Sequence, residues 1–131
     1  MKQKPLPKVY YEIDNFKYIL VKTNKQKISY LKNTLSLNLE DSIYESVRTY
    51  FRFNLERAKN YEYVLGAVYD KSIGYVIKGV YKIKEWKLAN CGNRYEFIKD
   101  DNADENIIKH FINKRVPKKY TQIACICTYH D

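Results

Sequence analysis

The sequence predicts one α+β domain: a small, strongly bent sheet, antiparallel or mixed, or a partial barrel, with two or three helices at its periphery. Three observations carry this. A chain of 131 residues holds one hydrophobic core of ordinary size and not two. Its β-prone runs and helical stretches do not alternate regularly, which argues against a doubly wound parallel sheet. The longest β-prone run contains a glycine, Gly79, where a bulge or tight bend belongs. Residues 1–15, with Pro5, Pro7 and several lysines, read as an extended basic arm, and residues 16–131 as the domain.

The elements follow in order. Residues 16–22 (FKYILVK) are rich in β-formers and predict a first strand. Residues 23–27 read as a polar connection, and 28–37 as strand or loop. Asn38 is a fitting N-cap, with Glu40 and Asp41 in the turn that follows it. Leu39, Ile43, Tyr44, Val47, Tyr50 and Phe51 then share one helical face. The helical pattern runs on to Ala58, with a break expected near Asn54. Residues 61–69 and 75–86 predict a hairpin turning through 70–74. Residues 94–98 alternate as a strand. Residues 103–111 predict a short helix capped by Asn102, 114–119 a basic loop, and 122–129 a last strand.

Hydrophobic residues make up 45% of the chain and aromatic residues 15%, which excludes a disordered or low-complexity chain. No apolar run approaches the roughly 18 residues that span a bilayer. The basic N-terminal residues lack the apolar stretch and small-residue cleavage site of a secretory signal. An odd count of three cysteines suits a reducing compartment, so a cytoplasmic location without membrane contact is expected. Cys125 and Cys127 have C-x-C spacing and read as small apolar residues on one strand face rather than as zinc ligands. The acidic run at 100–105 reads as a turn and a helix cap rather than a metal site. No phosphate loop or nucleophile-and-base pair stands out, so no catalytic residue, metal or cofactor is assigned.

The charge balance points to a partner. With 24 Lys and Arg against 15 Asp and Glu, the net charge is +9, which favours polyanions, nucleic acid first. Arg48, Arg52 and Arg57 are interleaved with Tyr50, Phe51 and Phe53, pairing phosphate-binding forks with stacking rings. Lys78, Lys82 and Lys84 share strand parity, and so one face if no bulge intervenes. Lys114, Arg115, Lys118 and Lys119 form a further basic cluster. The alternative is that the rings are core and the lysines a solvated sheet face.

Several short segments together resemble a known domain: 42–69, GVYKIKEW at 79–86, NRYEF at 93–97 and INKRVP at 112–117. They resemble the accessory domain found C-terminal to GIY-YIG-type nuclease modules in bacterial proteins. Tyr44, Glu45, Arg48, Phe51, Arg57, Ala58, Trp86, Arg94, Phe97, Lys114 and Val116 fall on its pattern. Asn113 stands where that pattern has glycine, and the resemblance carries over no nuclease activity. The layout is also similar to the PUA-like group (PUA, ASCH, EVE and YTH domains). That resemblance implies a bent barrel that binds RNA or a modified base in an aromatic pocket. Trp86, Tyr50 and Tyr75 would stack the base, and Arg48, Arg94 and Asn93 would donate to its edge.

The expected function is therefore a non-enzymatic domain that binds nucleic acid, a nucleotide or a modified base. Its site residues would be Arg48, Tyr50, Arg52, Arg57, Lys78, Lys82, Lys84, Trp86, Arg94, Lys114 and Arg115. One alternative is a metal-independent ribonuclease of the toxin kind, working through Arg48, Tyr50, Arg94 and Lys114. Another is a phage or mobile-element protein that binds a host defence protein or a nucleotide messenger. No oligomeric state follows from the sequence.

Overall fold

The Tyr-Ile-Leu-Val run near the N-terminus is apolar on both strand faces, as suits a strand covered on both sides. In the computed structural model it is β1 (Tyr18–Asn24), whose Tyr18, Ile19 and Leu20 have no solvent exposure. The structure describes residues 6–48, 55–89, 94–123 and 125–131. Expectations for Tyr50, Phe51, Arg52, Phe53, Asn54, Cys91 and Asn93 fall outside them.

The chain leaves β1 into α1 (Lys25–Leu35). This corrects the reading of 23–27 as a connection and 28–37 as strand or loop. Asn24 is the reason the helix starts there, its side chain accepting from the Lys27 N–H at 2.8 Å. Ile28, Leu31 and Leu35 lie on one helical face at i, i+3 and i+7. Ser36, at φ 54°, closes the helix in left-handed geometry. The next helix, α2 (Leu39–Arg48), starts where the sequence indicates: the Asn38 side chain accepts from the Asp41 N–H at 2.7 Å. A short α3 (Leu55–Ala58) follows and delivers the chain to β2 (Tyr63–Asp70).

β2 runs parallel to β1, with Tyr18 opposite Tyr63 and Asn24 opposite Tyr69. The helices between them form the crossover that a parallel pair requires. β3 (Gly74–Leu88) returns antiparallel to β2, β4 (Tyr95–Asp100) antiparallel to β3, and β5 (Cys127–His130) antiparallel to β1. The result is one five-stranded mixed sheet in the order β4-β3-β2-β1-β5. The sheet is open rather than closed into a barrel. The antiparallel hairpin and the helix before the last strand agree with the sequence reading.

Late in the chain, α4 (Glu105–Phe111) is capped by Asp104, not Asn102. The Asp104 side chain accepts from the Asn106 N–H at 2.8 Å, while the Asn102 N–H donates to Asp100 in the preceding turn. The basic loop contains one helical turn, α5 (Lys118–Thr121), starting directly after Pro117. The final strand is accordingly shorter than expected. Cys127 lies in β5 and packs against the core, whereas Cys125 precedes the strand and is exposed, so the two do not share a strand face.

Helices cover the two sheet faces separately. On one face, Val47 of α2 packs on Ile19, Val64 and Phe97. The fit is close: a Cβ added to Gly66 would sit 2.6 Å from Val47 Cγ2. On the other, Phe111 of α4 packs with Tyr18, Leu20, Leu65 and Ile77. The N-terminal residues join this second layer. The Tyr10 N–H donates to the Arg115 carbonyl and the Arg115 N–H to Lys8, at 3.0 and 2.8 Å. Tyr10 is buried against Phe111, and the Tyr18 hydroxyl donates to Glu12 at 2.6 Å. Burial raises the pKa of Tyr10 and Tyr18 well above the usual phenol range, so both stay neutral hydrogen-bonding groups.

β3 bulges twice. Gly66 faces Gly79 while Ala67 faces Ile77, so Lys78 is the extra residue. Ile83 faces Lys99 while Glu85 faces Ile98, so Lys84 is another. These bulges break the parity on which a shared face for Lys78, Lys82 and Lys84 depended. The first falls at Gly79 as the sequence suggests, where a Cβ would come within 2.6 Å of the Tyr81 ring.

Candidate nucleic-acid interface

The structure disperses the predicted site residues. Arg48, at the end of α2, is held by two carboxylates: Nε lies 2.9 Å from Glu45 and Nη1 3.6 Å from Glu96. It also lies 5.5 Å from the centre of the Tyr44 ring, whose hydroxyl accepts from the Lys99 N–H at 2.9 Å. Arg57 stacks over Tyr129 at 4.1 Å and faces Asp131 at 3.9 Å. Arg115 donates through Nε to the Pro7 carbonyl at 2.7 Å and so pins the N-terminal residues. Lys114 is tied by its backbone, its carbonyl accepting from the Ile77 N–H at 2.9 Å. The Arg94 carbonyl likewise accepts from Ala89 at 2.8 Å, beside the half-buried start of β4. These positions serve the fold first. Tyr75 packs with Tyr69 at the turn end of β3, far along the strand from Trp86, so the two do not form one stacking pocket.

Of the residues on which the resemblance rests, Tyr44, Trp86 and Phe97 lie together, whereas Val116 belongs to the core on the other face of the sheet. Tyr44 and Trp86 both pack against Phe97, with ring centres 5.8 and 5.6 Å away. Glu45 and Arg48 lie on the same helix as Tyr44. That cluster explains Trp86 as an anchor for β3 and β4, yet the indole also walls a cleft.

The cleft, of about 350 Å3, is lined by Lys59, Tyr61, Glu62, Ile83, Lys84, Glu85 and Trp86. Glu62 also lines a smaller neighbouring recess of about 160 Å3, beside Asn15, Phe16, Lys17 and Asn60. Together they lie at the end of the sheet where β1 and β2 begin and β3 is midway along. Lys84 reaches the cleft from its bulge, and Lys59 follows α3 directly. Lys17 and Lys59 carried no special sequence signal, since isolated lysines outside a periodic pattern look like any solvated residue. Lys78 and Lys82 are not part of this lining. Lys78 belongs to a groove at the opposite end of β3, and Lys82 sits between the bulges opposite Tyr63 and Asp100.

Other groups are in structural service. His130 stacks on Tyr18 at 4.8 Å and bonds Thr128, and burial lowers its pKa below the ordinary imidazole value. His110 Nε2 bonds the Tyr11 carbonyl at 2.7 Å. Burial pushes the Cys127 thiol up to about 12, which makes it inert at neutral pH. Among the described residues no three His, Cys, Asp or Glu side chains are grouped to hold a metal, and no helix is long and apolar enough to cross a membrane. Comparison with protein-family models, with curated proteins and with solved structures finds no match.

Proposed function

We propose that this chain is a non-enzymatic nucleic-acid-binding domain, and that the neighbouring clefts at the Phe16–Trp86 end of the sheet are its contact surface. One observation supports this above the others: Lys59 and Lys84 line one cleft with Tyr61 and Trp86, and Lys17 lines a neighbouring recess with Phe16, the two meeting at Glu62. Lysines along such a track neutralise backbone phosphates and release counterions. Exposed ring faces stack bases with little regard to sequence. Glu62 and Glu85 offer acceptors for the amino groups of cytosine or adenine, which adds base preference. The resemblance to the PUA-like group enters this proposal as a shared way of holding a base, without barrel closure.

The test is fluorescence anisotropy with labelled single-stranded RNA, single-stranded DNA and duplex DNA, followed by a denaturing gel. The expected result is tighter binding of single strands, with every oligonucleotide intact on the gel. A Lys59→Ala/Lys84→Ala double variant should bind several-fold more weakly. Cleaved product would overturn the non-enzymatic reading, and binding indifferent to the double variant would overturn this placement of the site.

A further inference from the structure

At the other end of β2 and β3, where the chain turns between Asp70 and Gly74, α1 and α2 border a second depression. Its larger lobe, of about 370 Å3, has an aliphatic floor of Ile28, Leu39, Ile43 and Val68. Lys25, Lys32 and Lys78 stand around that floor. Lys25, Val68 and Lys78 are shared with a second lobe of about 350 Å3, which runs past Ile73 and Val76 to Pro7. Among the described residues Asp70 is the one carboxylate in the lining of either lobe, and it is engaged by Lys25 at 3.1 Å and by the Ser72 N–H. Lys78 is placed by the β3 bulge and held at 3.0 Å by the side chain of Asn113, whose φ is 62°. Leu39 remains 59% exposed at the rim, so the apolar floor reaches the surface.

The geometry points to this groove as a docking site for an acidic segment of a partner protein. Such a segment would set aliphatic side chains on Ile28, Ile43 and Val68 and carboxylates against Lys25, Lys32 and Lys78. Charge complementarity argues for the acid: three lysines face one carboxylate that is already paired. The floor argues for a peptide over a nucleic acid. Among the described residues no aromatic ring lines either lobe to stack a base, whereas aliphatic anchors fit grooves of this kind. The two lobes, joined at Lys25 and Lys78, suit successive anchors along one peptide. This site is independent of the proposed nucleic-acid surface.

A displayed library of random peptides, each about 12 residues long, is selected on the full chain. The expected outcome is enrichment of sequences that interleave Asp or Glu with Leu, Ile, Met or Phe. A synthetic peptide of the enriched sequence should bind a Lys32→Glu/Lys78→Glu variant about tenfold more weakly. It should bind a Lys59→Glu/Lys84→Glu variant, which has the same net charge, like the parent chain. Lys32→Glu alone, at the exposed end of α1, should still weaken binding if the double variant unfolds. The inference is overturned if no peptide is enriched, if the enriched peptides lack acids, or if both double variants weaken binding equally. Displacement of the peptide by a single-stranded oligonucleotide through the groove lysines would also overturn it.

Discussion

Gly66 shows how closely helix and sheet approach each other. With Val47 Cγ2 only 2.6 Å from where a Cβ would stand, Gly66→Ala forces the Val47 side chain or the helix that carries it to shift. Overpacking of this kind costs about 1–3 kcal/mol, readable as a lower denaturant midpoint. Val47→Ala in the same chain should recover part of the loss. His130 makes a second prediction at this scale. Burial is the main cause of its lowered pKa, against smaller opposing pulls from Glu12 and Asp131. The unfolded chain therefore binds this proton more readily than the folded one. The contribution of His130 to stability is complete above the ordinary value of 6.5 and is lost as pH falls through the folded pKa. The drop in stability on acidification should shrink in a His130→Phe variant, measured by denaturant unfolding above and below that range. Cys125 and Cys127 differ in the same physical sense. The exposed Cys125 should be alkylated at mildly alkaline pH while the buried Cys127, with its raised pKa, stays unmodified until the chain unfolds, as fragment-ion mass spectrometry would show.

Among the elements, the turn after α4 braces β3 at its first bulge. Asn113 sits at φ 62°, donates its N–H to Ile77 at 2.7 Å and holds Lys78 through its side chain. Asn113→Ala should cost about 1–2 kcal/mol from left-handed strain alone, and Asn113→Gly less, since glycine tolerates that geometry. Thermal melts of the two variants compare them. Much at this scale was legible in the sequence. The Asn38 cap, the hairpin, the Gly79 irregularity and the late helix all follow from local rules, and local rules are written in neighbouring residues. What was not legible depended on partners far apart in the chain. Residues 28–37 read as strand or loop because Leu37 blurs the helical spacing of Ile28, Leu31 and Leu35, and in that helix only Ile28 is buried. Glu45, one turn before Arg48, was visible in the sequence, but the second carboxylate at Arg48, Glu96, arrives from β4. The lysines of β3 looked coplanar because parity assumes a regular strand, and two bulges separate them.

Over the whole molecule, the two depressions lie at opposite ends of the parallel β1–β2 pair. At the start of β2 lies the Phe16–Trp86 track. At its far end, Val68 opens onto the lysine-rimmed groove. Glu62 and Val68, which line them, are six residues apart in sequence, about 20 Å at the usual strand rise. The two depressions hold six lysines against the carboxylates of Glu62, Glu85 and Asp70, so they carry only part of the excess charge of +9. The composition announced the charge, but only the fold assigns it to places. The most direct test of the nucleic-acid account is the salt dependence of single-strand binding, compared between the parent chain and a Lys17→Ala/Lys59→Ala/Lys84→Ala variant. Log Kd against log salt should be linear. The slope of the variant should be shallower by about two, since each phosphate contact on a single strand contributes about 0.7. Parallel lines for the two proteins, or a Kd that does not change with salt, would contradict the account.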